Sequence, residues 1–316
     1  MTRLGYQIPN FTYPGVPADR LFDTIVAQAK EADESGFDTV FVMDHFYQLP
    51  MIGTPDKEMI ECYTLLSALA QHTSRVRLSA LVTGNTYRAP ALLAKTITAL
   101  DLVSGGRAQL GIGAGWFEQE HQSLGFEFGT FTDRFERLEE SLHIVLGMLR
   151  GERPSLDGKW YQVTDAINSP APLSKIPVMI GGGGERKTLR MVAQYADESN
   201  LICAVDDIPR KLAALDEHCE RLGRNRSEIT VSLQTYACIA PTHEEAVADL
   251  DAYLERNPAG AARRDAMVVG SPDEVRARFE DLLATGVDGF SVNLMANGHL
   301  PGRVALLGET LAPIVA

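Results

Sequence analysis

The chain has 316 residues, of which 45% are apolar and 22% charged, enough for one large globular domain or two average ones. Its 29 Lys and Arg against 42 Asp and Glu leave a formal charge of −13, which argues against a nucleic-acid surface or an anionic membrane as partner. That charge still permits a small anionic ligand held by a local basic patch, and Arg186, Lys187 and Arg190 could form one. Cys62, Cys203, Cys219 and Cys238 are scattered with no C-x-x-C pair, the pattern of reduced cytosolic thiols. The start "MTRLGYQIPNF" has no signal-peptide core, and no apolar run is long enough to span a bilayer, so a cytoplasmic protein is expected.

In chain order, short apolar runs alternate with helical patterns. The first strand is expected at Leu4–Ile8. "PADRLFDTIVAQAKEADESG" follows, with Leu21, Ile25, Ala29 and Ala32 on one face, Pro17 in the first turn and Gly36 past the end. Further strands are expected at Thr39–Met43, Val76–Val82, Ala108–Ile112, Val178–Ile180, Ile229–Leu233, Met267–Val269 and Phe290–Asn293. "SPDEVRARFEDLLATG" carries Ser271 as N-cap, Glu274 three residues on and Gly286 at its end. "ESGFDTVFVM" and "ATGVDGFSVN" form a faint repeat of glycine, aspartate and buried strand.

About eight such units predict an α/β fold, a (β/α)8 TIM barrel with loop insertions, with a doubly wound open sheet as the competitor. No linker marks a second domain, so one domain over residues 1–316 is expected. Three long connections, Tyr47–Glu61, Gly151–Lys175 and Arg256–Asp265, have the length of lids or binding loops.

Glycine-rich segments end two of the strands. "IPVMIGGGGERKTLR" places Gly181, Gly182, Gly183 and Gly184 before a basic helical segment, and "GIGAGW" ends another strand. Neither completes G-x-G-x-x-G or G-x-x-x-x-G-K-[ST], so a Rossmann dinucleotide site and a Walker nucleotidase are both disfavoured. What remains is a phosphate cradle of bare N–H groups, or a tight strand-to-helix turn with nothing bound.

"FVMDHF" puts Asp44 and His45 at a strand end, where barrel enzymes keep reacting groups. His45 could move a proton and Asp44 could set its tautomer, or the two could merely cap the strand. Thr83, Asn85, Tyr87 and Arg88, in "LVTGNTYRAPALLAK", could line the same mouth, with Pro90 opening a helix. Two E-x-x-H pairs, Glu118/His121 and Glu140/His143, match part of a di-iron bundle signature. Alternating strands and helices exclude a bundle, so no metal site is expected, and His143 is expected to pack on its helix.

Together "GFDTVFVMDHF", "LSALVTGNTYRAPALLAK", "GRAQLGIGAGWFEQEHQSLGF", "DRFERLEE", "IPVMIGGGGERKTLR", "VGSPDEV" and "GVDGFSVNL" resemble the luciferase-like monooxygenase superfamily, in its deazaflavin-dependent branch. The resemblance implies a homodimeric barrel enzyme that holds coenzyme F420, or alternatively FMN, at the C-terminal strand ends. Gly181–Gly184 and the N–H of Glu185 would receive the cofactor phosphate. Gly113, Ala114, Gly115 and Trp116 would border the phosphate and ribityl chain, and Thr83 would line the same site.

Asp44 would bond a ribityl hydroxyl or the ring edge, and His45 would face the reacting carbon. A non-prolyl cis peptide, expected between Ala80 and Leu81, would lie beneath the ring. The implied activity is hydride transfer with a small organic substrate. An oxygen-using FMN monooxygenase and a non-catalytic cofactor carrier are the alternatives. Sugar-phosphate dehydrogenases of the branch carry a glutamate where this chain has Trp116, which disfavours glucose 6-phosphate. Tyr47, Trp116 and the Gly151–Lys175 insertion are expected to shape the substrate pocket, with the insertion as a lid.

Overall fold

The computed structural model describes residues 3–315 of the chain; of the expected domain, residues 1, 2 and 316 lie outside these. Eight parallel strands close a barrel: β1 (Leu4–Ile8), β2 (Thr39–Val42), β3 (Arg77–Ala80), β4 (Ala108–Gly113), β5 (Val178–Gly181), β6 (Glu198–Leu201), β7 (Thr230–Ile239) and β8 (Gly289–Asn293). Each pairs with the next, and β8 returns to β1 with Phe290 opposite Leu4. The (β/α)8 expectation holds, and closure removes the exposed edges that an open sheet would leave.

The membership of the barrel differs from the expected one in one strand. β6 reads "ESNL" and went unexpected because its buried face is polar: Glu198, Ser199 and Asn200 are all enclosed. The Asn200 amide donates to the hydroxyls of Ser232 and Ser291, on β7 and β8, through the barrel interior (2.9 and 2.8 Å). The expected strand at Met267 does form, as Met267–Gly270, but it pairs only with Tyr236–Ile239 in the far half of β7. Apolar periodicity locates strands packed on helices; it is blind to a strand whose inward face joins a polar network.

The helices follow their local signals. Helix α1 (Leu21–Glu34) buries Leu21, Ile25, Ala29 and Ala32, and Gly36 beyond it takes φ +96°. Pro17 caps a short 3-10 turn before α1 rather than standing in its first turn. The helix Pro272–Leu283 starts on the Ser271–Glu274 capping box, worth about 1 kcal/mol. His143 corrects its expectation: it is exposed, because it falls on the outer face of the helix Phe131–Leu149, whose Leu142, Ile144 and Val145 point inward.

The Gly151–Lys175 insertion is pinned to that same helix. The Glu140 carboxylate accepts from the backbone N–H groups of Lys159, Trp160 and Tyr161, each at 2.9 Å. The Trp160 indole N–H donates to Glu136 (3.2 Å), and the Arg137 guanidinium lies over the Trp160 ring. The four cysteines are free thiols. Among the described residues no helix is long and apolar enough to cross a membrane.

Candidate active site

The C-terminal strand ends surround a cavity of about 570 Å³. Its floor is an amide network: Gln234 and Asn293 both donate to the side-chain oxygen of Gln7, whose own amide N–H reaches the Leu81 carbonyl. Of the residues singled out from the sequence, Asp44, His45, Leu81, Thr83, Tyr87, Gly113, Ala114, Gly115, Trp116, Gly181 and Gly182 line this cavity. Ala80, Tyr47, Gly183, Gly184 and Glu185 are not among its lining residues, nor is any residue of the 151–175 insertion. The pinned insertion therefore contributes no lining residue to the pocket. Leu49, Met51 and Ile52, from the long connection after β2, do.

The non-prolyl cis bond is present one position later than expected, between Leu81 and Val82. Ala80 still pairs with Val42 in the ladder, and the Leu81 N–H donates to the Val42 carbonyl (2.9 Å), so the chain leaves the strand only after Leu81. Val82 then fills the space against two glycines. A Cβ on Gly181 would come within 2.8 Å of one Val82 methyl, and a Cβ on Gly113 within 2.9 Å of the other. Strand-end glycines are thus required here by a packed valine, whether or not a ligand lies against them.

The rest of the glycine run lies just beyond the cavity lining. Gly182 adopts φ +121°, which favours glycine, and the chain bends there. A Cβ on Gly183 would meet the Ile202 carbonyl at 3.0 Å. Glu185 is held outside by its ion pairs to Arg210 and Lys211, while its carbonyl accepts from the His218 ring. In the basic patch, Arg190 is paired with Glu139, and Lys187 lies near the rings of Phe131 and Phe135.

Asp44 and His45 do not pair with each other. The buried Asp44 carboxylate takes both arms of Arg88 (2.7 and 3.0 Å) and the Gly84 N–H (3.0 Å). Burial pushes its carboxyl above the ordinary value, against the opposing pull of Arg88. Arg88, expected at the mouth, instead stands behind Asp44 and also binds Glu61. Asn85 is likewise buried and off the cavity wall.

The partner of His45 is Glu120, which lies between Glu118 and His121 of the first E-x-x-H pair and is not among the expected site residues. The Glu120 carboxylate is fully buried on the helix Glu118–Leu124. It accepts from His45 Nδ1 (2.8 Å), the Tyr87 hydroxyl (2.5 Å) and the backbone N–H groups of Phe46 (2.6 Å) and Tyr47 (2.8 Å). Burial acts to raise its carboxyl, but the His45, Tyr87 and Tyr47 contacts outweigh this and hold it below the ordinary value.

A charged Glu120 needs the proton on Nδ1, so Nε2 is the imidazole nitrogen without a partner among the described residues. Only the proximity of an acid to the glycine-rich strand end, in "GWFEQEH", signalled this role in the sequence. His121 is spoken for elsewhere, between the Thr86 hydroxyl and the Phe117 carbonyl. Trp116 stacks on Phe117, stands edge-on to His45 with ring centres 5.8 Å apart, and is 54% exposed at the rim.

The chain is similar to known proteins both in sequence and in fold. The family model of luciferase-like monooxygenases matches residues 2–289. An F420-dependent glucose-6-phosphate dehydrogenase from Microbacterium testaceum is 30% identical over 68% of this chain and 64% of its own length. One from Amycolatopsis mediterranei is 32% identical over 54% of this chain and 50% of its own length. The chain thus spans between half and two thirds of these relatives. An FMNH2-dependent dimethylsulfone monooxygenase from Pseudomonas putida is 27% identical over 84% of this chain and 74% of its own length.

Among solved structures, an F420-dependent secondary alcohol dehydrogenase superposes with a TM-score of 0.82 at 18% identity, covering 100% of this chain and 99% of the other. A monooxygenase from Streptomyces bottropensis superposes equally well, at 0.82 and 19% identity, covering 98% of each chain. At these identities the superpositions speak for the fold. With the family model matched over nearly its whole length, the chain belongs to the luciferase-like monooxygenase family of enzymes.

Proposed function

We propose that the chain is a coenzyme F420-dependent oxidoreductase that passes a hydride between the deazaflavin C5 and a small organic substrate. The observation that carries this reading is the cavity-lining His45, whose Nδ1 is fixed by a buried carboxylate while Nε2 has no partner among the described residues. The cavity has room for a flat tricyclic ring, and its wall suits one. Gly113, Gly181 and Gly182 present backbone, Leu81 and Val82 an apolar ledge, and Arg134 a cation beside the Gly115 carbonyl (3.1 Å). Asp44, Thr83, Ala114, Gly115 and Trp116 would complete the cofactor wall. A phosphate extending outward past Gly182 would reach Gly183, Gly184 and the N–H of Glu185.

When bound, the cofactor supplies a carbon that takes or gives a hydride. The protein then has to handle the matching proton. For an alcohol substrate, His45 Nε2 takes the hydroxyl proton as hydride leaves the carbinol carbon, and in the reverse direction the protonated ring returns it to oxygen. Glu120 stays charged and fixes the tautomer, a positioning role, and Trp116 shields the rim from water. Asp44, held by Arg88, is a ligand-bonding group in this scheme rather than a proton carrier. Glucose 6-phosphate is not favoured, because Trp116 stands at the rim beside His45.

The second reading is an oxygen-using FMN monooxygenase, favoured by the dimethylsulfone monooxygenase match over 84% of the chain. Separate titrations of the purified protein with F420 and FMN, followed by tryptophan fluorescence, test the two. Saturable binding of F420 alone, with anaerobic hydride exchange, is the expected outcome. Preference for FMN with oxygen uptake would replace it, and tight binding without any turnover would make the chain a carrier. A homodimer, one domain over residues 1–316 and a cytoplasmic setting belong to the same reading. Light scattering of the purified protein tests the first of these.

A further inference from the structure

The charges around the cavity are unbalanced in a direction that the net charge of the chain does not suggest. Asp44 is the one carboxylate among the described lining residues and is paired with Arg88. The charged Glu120 stands just behind the wall on His45 and Tyr87, so these two acids face three arginines, Arg88, Arg134 and Arg263. Two arginines also line the cavity, Arg134 and Arg263, and among the described residues neither has a carboxylate within ion-pair distance. Arg134 stands by the β4 glycines, where the proposed cofactor is expected. Arg263 stands across the mouth: it donates to the hydroxyl of Tyr236, on β7, and its guanidinium lies 5.2 Å from the centre of that ring. In the strand order of the barrel, β7 faces β3 and neighbours neither β4 nor β5.

An apolar wall adjoins Arg263. Met43, Leu49, Met51 and Ile52 line the cavity and belong to the same apolar cluster as Tyr236. His45 lies two residues beyond Met43. A ligand in this half of the cavity would meet a proton-transfer group, an apolar surface and a planar cation. A guanidinium next to a phenol hydroxyl suits a carboxylate, which can take both arms of the fork. The apolar surface between them does not suit a sugar.

We propose that Arg263 and Tyr236 form the carboxylate-binding end of the substrate pocket. The substrate is then an organic acid with an apolar body, whose reacting carbon reaches His45 while its carboxylate reaches Arg263. This rests on the oxidoreductase reading for its division of the cavity into cofactor and substrate halves.

Calorimetric titration with 4-phenylbutyrate and with the neutral 4-phenylbutan-1-ol tests the proposal without turnover. The acid should bind about 10-fold or more tightly than the alcohol. Arg263→Gln should abolish that preference while leaving alcohol binding unchanged, and Arg263→Lys should keep part of it. Equal binding of acid and alcohol, a preference that survives in R263Q, or binding of neither compound would overturn the proposal.

Titration of R263Q with F420 separates the two readings. Unchanged cofactor affinity is expected, and a loss there would assign Arg263 to the cofactor instead. Failure of F420 to bind the wild-type protein would sink the F420 reading, while an acid-over-alcohol preference that is lost in R263Q would still support the carboxylate site.

Discussion

Glu120 and Glu140 sit on consecutive helices and use the same device to different ends. Each carboxylate gathers backbone N–H groups from a loop distant in sequence: Phe46 and Tyr47 for Glu120, and Lys159, Trp160 and Tyr161 for Glu140. Glu140 is half-buried, gathers only amides, and fastens the insertion to the barrel flank. Glu120 is fully enclosed and adds an imidazole and a phenol to its amides. Both acids order a loop, and Glu120 alone of the two also holds a titratable ring at the cavity.

The largest expected effect breaks the Glu120 side at its ring. His45→Ala should lower turnover about 100-fold or more while cofactor affinity stays nearly constant. Unchanged turnover would remove His45 from the chemistry. Glu120→Gln should cost about 10-fold in turnover, because a neutral amide no longer imposes the Nδ1–H tautomer. If Glu120 acts through His45, adding E120Q to H45A should cost nothing more in turnover. A further loss in the double variant would mean that Glu120 acts on the substrate or cofactor directly.

The other half of the comparison gives a smaller effect of a different kind. Glu140→Gln weakens three amide contacts to a charged acceptor and should destabilise the protein by about 1–2 kcal/mol in urea unfolding, with turnover unchanged. A fall in turnover matching that of E120Q would show that the insertion reaches the site after all.

The same pair shows what the sequence made legible. Seven of the eight barrel strands follow from apolar runs, since each packs against helices on its outer face. The remaining one, β6 (Glu198–Leu201), is hidden because its Asn200 answers to Ser232 and Ser291, residues in strands far along the chain. Asp44 and His45 were found as a strand-end pair, but their partners were not. Arg88 and Glu120 reach them from 44 and 75 residues away. Periodicity and spacing report what a residue's own element wants, and a hydrogen bond between two strand-end loops leaves no such mark. The length of the Gly151–Lys175 insertion suggested a lid because loop length carries no information about Glu136 and Glu140, the residues that pin it.

The smallest effect separates charge from shape at Glu120. Its carboxyl is held below the ordinary value of 4.5 in the folded protein despite burial, because His45, Tyr87 and Tyr47 favour the charged form. A group depressed on folding contributes stability above its unfolded value and loses it as pH falls through the folded value. The stabilising share of Glu120 is therefore complete at neutral pH and fades only below about pH 4.5. E120Q preserves the shape and removes the titration. The gap in melting temperature between wild type and E120Q should stay constant from pH 7 to about pH 5 and narrow below that. A gap that stays constant to pH 3.5 would mean that the charge on Glu120 adds nothing to the fold, leaving shape alone to hold the loop that carries His45.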